Sequence, residues 1–193
     1  MNRNRYAQTF RRRLESKRVI LEPLAPWHLD SLHEIVNSDE LLDQWPLFGK
    51  VVSRPDLEEF LWSLAQLQFA ILRRDNRNVI GLIQGLDDDK RSRTIGLGAA
   101  IDPALWRHGW PFEAVVLFLG ILFDVRGYRK VYISCSDTTV STIGAAIDKW
   151  LMPEALYRKH HRTATRLEDW HIYSLHRDRW DPSLVQLVSS RDE

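Results

Sequence analysis

The chain has 193 residues, enough for one domain whose core needs no metal or disulfide to hold it. Its 27 basic and 26 acidic side chains leave a formal net charge of +1, so bulk electrostatics give no reason to expect nucleic acid or an anionic membrane as partner. A hydrophobic fraction of 44% excludes bulk disorder, and the single cysteine, Cys135, excludes a disulfide framework and a Cys-rich zinc site.

The N-terminal segment is basic: Arg3, Arg5, Arg11, Arg12, Arg13, Lys17 and Arg18 stand against Glu15. It reads either as a solvated arm over residues 1–17 or as an arm that contacts an anion. The Arg-rich start has no apolar signal segment, and the longest apolar run, near Val115 to Phe123, is too short to span a bilayer. A cytoplasmic protein is the expectation. Val19 to Leu24 is β-rich and ends against Pro23, which predicts a strand. Leu29, Leu32, His33 and Val36 then recur at helical spacing from Pro26, and Asn37-Ser38-Asp39 breaks the pattern. Leu41 to Val52 reads as a loop with large apolar groups, Trp45 and Phe48 among them. A second helix is expected from Ser53, with Pro55 just inside and Asp56, Glu58 and Glu59 at the positive end of its dipole.

From Gln68 the pattern changes to strands. Phe69 to Arg73 and Val79 to Leu86 flank a polar turn and predict a hairpin, Asp87 to Arg91 a charged turn, and Thr94 to Ile101 a further strand. After the loop Ala104 to Gly109 comes a segment apolar nearly all round, which predicts a buried helix ended by Gly127. Lys130 to Ser136 is a β-branched strand, Ser141 to Trp150 a short helix, and Leu156–Ala164 with Asp169–His176 a last strand pair. The order β-α-α-β-β-β-α-β-α-β-β predicts a mixed sheet in an α/β (α+β) sandwich. The expected divisions are the arm 1–17, a domain over 18–181 and a tail over 182–193.

A strand that feeds a tight loop opening a helix makes a phosphate site, because the first helical amides lack partners within the helix and the dipole is positive there. Gly109 permits close backbone approach, Pro111 suits a first turn, and Arg107 and His108 add positive charge. The same arrangement also has a purely structural explanation.

The stretch Trp106-Arg107-His108-Gly109-Trp110-Pro111-Phe112-Glu113-Ala114 resembles the acetyl-CoA signature of the GCN5-related N-acetyltransferase (GNAT) superfamily. Arg18 to Leu24, Trp45-Pro46 with Ser53 to Phe60, Phe69-Ala70-Ile71, Val79 to Ile83, Phe123 to Val131 and Asp169 to Leu175 with Trp180 resemble, in order, its ribosomal-protein N-terminal acetyltransferase branch. The resemblance implies the GNAT fold, a mostly antiparallel twisted sheet flanked by helices. It also implies transfer of an acetyl group from acetyl-CoA to a primary amine, of a peptide N-terminus or a small molecule. By resemblance, Ala99, Ala100 and Ile101 lie along the pantetheine and thioester. Trp106, Arg107, His108, Gly109, Trp110 and Phe112 form the cofactor loop, and the split between this strand and Val131–Ser136 admits the cofactor.

Ser141 is the candidate donor to the leaving sulfur, and equally reads as a helix N-cap. Trp45 and Phe48 are expected to line the acceptor pocket, and His171 lies in the segment that closes it in the family. The general base is open among Cys135, Asp137, His171, Glu22 and water, with Cys135 favoured as a core thiol and Glu22 as a surface carboxylate. No metal site is expected. The chain departs from the family pattern at Thr94, where a Glu is common, at Pro111, where a small residue is common, and at Thr138, where an Asn is common. Those departures motivate the alternative, a GNAT-fold module that binds acyl-CoA or a partner with weak or no turnover. The expected partners are an acyl-CoA and an amine acceptor, with a homodimer left open, and without nucleic acid or membrane.

Overall fold

In the computed structural model, which describes residues 14–44, 46–65, 67–106 and 108–189, the chain opens with β1 (Val19–Pro23). A 3-10 turn (Pro26–His28) leads into α1 (Leu29–Val36), a short α2 (Asp39–Leu42) and α3 (Arg54–Leu64). Three antiparallel strands follow, β2 (Leu67–Arg73), β3 (Val79–Asp89) and β4 (Thr94–Ile101). Then come α4 (Trp110–Gly120), continued by a π-helical turn (Ile121–Val125), β5 (Lys130–Ser136) and α5 (Asp137–Trp150). The chain closes with β6 (Met152–Arg162), β7 (Leu167–His176) and α6 (Ser183–Ser189). Most of the predicted basic arm (residues 1–13), Trp45, Arg107 and residues 190–193 lie outside the described residues.

The seven strands form one sheet in the order β1-β2-β3-β4-β5-β7-β6, antiparallel except where β4 and β5 run parallel. This is the mixed sheet that the pattern predicts, and the mostly antiparallel, helix-flanked form that the resemblance implies. Each face carries its own core. One packs α4 and its π turn, with Leu117, Phe118, Leu122 and Phe123 fully buried, on Leu21, Ile71, Ile83, Ile95, Val131 and Leu175. Burial of each such side chain contributes about 1.5–3 kcal/mol. The other sets α1 and α3, through Leu29, Leu32, Val36, Leu57 and Leu61, on Leu82 and Ala100. The α3 start follows the predicted chemistry: Ser53 Oγ accepts the Asp56 N–H, and a proline occupies the first turn.

Four local expectations shift. Asp39–Leu42 is helical, because Ser38 is extended and opens a new turn where the Asn37-Ser38-Asp39 run was expected only to stop one. The third strand runs on to Asp89 through a register shift rather than ending at Leu86, so the aspartates belong to its end. The helix after β5 begins at Asp137, four residues before the expected Ser141. The segment expected as a tail carries α6, whose Val188 is buried. Gly120 lets it lie close, since a Cβ there would meet Val185 Cγ2 at 2.8 Å.

Candidate active site

The last rung between β4 and β5 is Gly96 with Tyr132, and beyond it the two strands diverge. Leu97 to Ile101 and Ile133 to Ser136 therefore form the walls of a wedge-shaped cleft in the middle of the sheet. Ala99, Ala100 and Ile101, expected along a thioester, lie on one wall. At the end of that wall the chain turns into α4. Asp102 Oδ1 accepts the Ala104 N–H at 3.0 Å, and Pro103–Leu105 makes one 3-10 turn. The Trp106 indole N–H donates back to Ile101 O at 2.8 Å. This indole pins the loop to its strand. Gly109 then takes φ 74° as the residue before α4, a left-handed conformation that favours glycine.

The loop is held from behind by groups that the sequence reading did not single out. Glu113, in the first turn of α4 and 3% exposed, accepts Ser16 Oγ–H at 2.6 Å, the Arg18 N–H at 3.1 Å and Arg18 Nε–H at 2.6 Å. Arg18 also donates from Nη1 to the His108 carbonyl, and its guanidinium lies over the Trp110 ring, as does that of Arg73. A Cβ on Gly109 would meet Arg18 Nη2 at 2.6 Å. The start of α4 thus combines free helical amides, a glycine in the required conformation and a neighbouring guanidinium. Pro111 removes one amide from that set, while the Phe112 ring stacks on Trp150 at the end of α5, with centroids 5.8 Å apart. The remaining predicted loop residue in view, His108, is exposed, and its carbonyl accepts from Arg18.

At the other wall, α5 starts at the end of β5. Its cap comes from across the fold: the Glu168 carboxylate on β7 accepts the Thr138 N–H at 3.1 Å and the Thr138 Oγ–H at 2.7 Å. Arg166 adds Nε–H and Nη2–H bonds at 2.9 and 2.7 Å. Burial alone would raise the pKa of this carboxyl, but the bonds from Thr138 and Arg166 outweigh it and hold the pKa at about 2. Gln44, from the segment after α2, accepts from Ser136 Oγ at 3.2 Å and from Thr139 Oγ1 at 3.0 Å. Ser141 is exposed one turn into α5, and its hydroxyl donates to Thr138 O at 2.6 Å. Its N-cap reading is corrected, because the helix is already under way at Asp137.

The acceptor-side residues separate onto two faces. On β7, Leu175 belongs to the α4 core, so alternation puts Tyr173 and His171 on the α4 face and Trp170 on the opposite one. Phe48 packs edge-on against Trp170 and His161, with centroids 5.9 Å from each. His171 instead bonds Asp137 Oδ1 through Nε2 at 2.8 Å, with Tyr173 OH 3.3 Å from Nδ1. Phe48 and His171, expected to share a pocket, therefore stand on opposite sides of the sheet. Of the other base candidates, Glu22 is tied to His28 and Arg77 on the edge strand β1. Cys135 is buried, and burial together with Asp137 pushes its thiol up to about 12, so it stays protonated at neutral pH. Among the described residues no group of three or more His, Cys, Asp or Glu is placed to hold a metal ion, and no helix is long and apolar enough to cross a membrane.

A cleft between parallel strands, a glycine-led helix start at its mouth and helices on both faces define an acyl-CoA transferase fold. Residues 18–144 match the family model described as an acetyltransferase (GNAT) domain, and the chain belongs to this family. The structure is similar to a GCN5-related N-acetyltransferase from Brucella melitensis, with a TM-score of 0.71 and 25% identity over 90% of this chain and 81% of that one. It resembles a GNAT-family protein from Chromobacterium violaceum at TM-score 0.72 and 23% identity, over 87% of both chains. It shares the fold of the spermidine N-acetyltransferase from Vibrio cholerae, solved with CoA and spermine, at TM-score 0.73 and 17% identity, over 83% of this chain and 96% of that one. No curated protein matches the chain significantly.

Proposed function

We propose that the protein transfers an acetyl group from acetyl-CoA to a primary amine of a small molecule or a peptide N-terminus. The observation that carries this reading is the divergence of β4 and β5 beyond Gly96, with Gly109 and the start of α4 at its mouth. The amides of Gly109, Trp110 and Phe112 suit a pyrophosphate, and the cleft leaves the edge of β4 from Leu97 to Ile101 free to bond an extended pantetheine. Transfer joins the amine nitrogen to the acetyl carbon and breaks the carbon–sulfur bond. A cationic amine gives up two protons, one before attack and one as the amide forms; the sulfur gains one and the other goes to solvent. Ser141, one turn above Asp137 on the same flank of α5, is the proposed donor to sulfur once its hydroxyl turns from Thr138 O. With Cys135 protonated and Glu22 remote, water in the open cleft is the proposed proton acceptor.

The amine enters on the opposite face, past Phe48 and Trp170. A cleft of about 320 Å³ at that rim carries, among the described residues, Asp39, Glu40, Asp43 and Glu168 against Arg166, which supports a cationic amine. Pro111 and the Phe112–Trp150 stack support a second reading, a module that binds acyl-CoA with little turnover. Two measurements decide between these. CoA near 100 times its Kd should stabilise the fold by about 2.7 kcal/mol in thermal unfolding. Gly109→Ala, strained at φ 74° and set against Arg18, should lose that rise. Free thiol released from acetyl-CoA in the presence of an amine supports transfer. Its absence, with the CoA shift intact, leaves the binding module, and no shift in the wild type overturns both.

A further inference from the structure

We infer that Ser134 is the residue over which the acceptor amine arrives, and that its hydroxyl holds the attacking nitrogen. The inference rests on the acyl-transfer reading above. Ser134 lies in β5, an interior strand of the sheet with β4 on one side and β7 on the other. An interior strand flanked by helices normally buries its side chains. Here Val131, Cys135 and Ser136 are buried, Tyr132 and Ile133 are half-buried, and Ser134 is exposed. Of this strand's residues, Ser134 is the most open to solvent.

Register shows which way that opening faces. Tyr132 stands beside Gly96 in the last parallel rung, and Ser134 is two residues further on, hence on the same face and already within the cleft. Across β7, Ser134 pairs with Ile172, while Ser136 pairs with Trp170. Ser134 therefore shares the Phe48–Trp170 face, opposite to the α4 face that carries Cys135 and His171. On β4 this face shows Gly96 and Gly98 and, further along, only the methyl of Ala100, so the lane beside Ser134 is open.

A thioester in the cleft is attacked from one side only if the other is occupied by the rest of its carrier. The start of α4 places that carrier on the α4 face. The nucleophile must then come from the Ser134 face, within reach of a hydroxyl that can accept an amine N–H and donate to a carbonyl. A small side chain keeps the lane open, and a large one would close it.

The test uses the full chain with acetyl-CoA and three amines: spermidine, tyramine and a tripeptide with a free N-terminus. Ser134→Ala should raise the acceptor KM about three- to ten-fold, with the acetyl-CoA KM unchanged. Ser134→Trp should abolish transfer while the CoA-induced rise in Tm persists. Ser134→Val, a residue well suited to a strand, gives the same contrast in milder form if the Trp variant does not fold. Wild-type transfer by Ser134→Trp or Ser134→Val, or an unchanged acceptor KM in Ser134→Ala, would overturn the inference and leave the acyl-transfer reading standing. Failure of the wild type to release thiol with any amine would overturn both.

Discussion

Glu168→Gln isolates a single long-range cap. The side chain is 2% exposed and is bonded to Thr138 and Arg166 at the start of α5. Its carboxyl titrates near 2 in the fold, against an ordinary 4.5 in the unfolded chain. A folded-state pKa below the unfolded one stabilises above the unfolded value, and that stabilisation is lost as pH falls through the folded value. A difference of about 2.5 units at 1.36 kcal/mol each gives roughly 3 kcal/mol, present at pH 6 and gone near pH 2. Other depressed carboxylates, Glu154 and Asp169 among them, add to the acid slope of both proteins, so the difference between wild type and variant is the informative quantity. Urea unfolding followed by circular dichroism at pH 6, 5, 4 and 3 measures it. The variant should be about 3 kcal/mol less stable at pH 6, and the gap should narrow to roughly 1.4 kcal/mol at pH 3. Parallel acid slopes, with a constant gap, would refute the reasoning.

Ser141→Ala should lower kcat about a hundredfold with little change in KM or in Tm, since the residue is exposed and lies past the helix start. A fall in Tm with normal kcat in steady-state assays would return it to a structural part. Phe48→Ala should raise the acceptor KM and leave the CoA-induced Tm rise intact, because the ring meets Trp170 and His161 on the face away from α4. Cys135 should resist iodoacetamide at pH 8 in the folded protein and react after unfolding in urea, as mass spectrometry of the labelled chain would read.

Periodicity made most of the elements legible. The β-branched run at Val131 and the apolar belt from Phe112 to Phe123 carry strong local preferences, so β4, β5 and the buried helix appear in the sequence at or near their true ends. Gly109 and Pro111 likewise mark the turn into α4, because backbone conformation there is a local property. The start of α5 was not legible. Asp137 to Val140 carry no strong helical signal, and the cap that fixes them is Glu168, about thirty residues away. Nor could the sequence show that Arg18 and Glu113 meet behind the loop, since they are 95 residues apart. Alternation on β7 is visible in the sequence, but which face meets which helices is not, so the sequence points Phe48 and His171 to one pocket while the fold sets them on two sides. The sequence by itself determined local conformation and family. Only the tertiary structure decided the faces, the cap and the exposure of Ser134, because each depends on contacts between segments far apart in the chain.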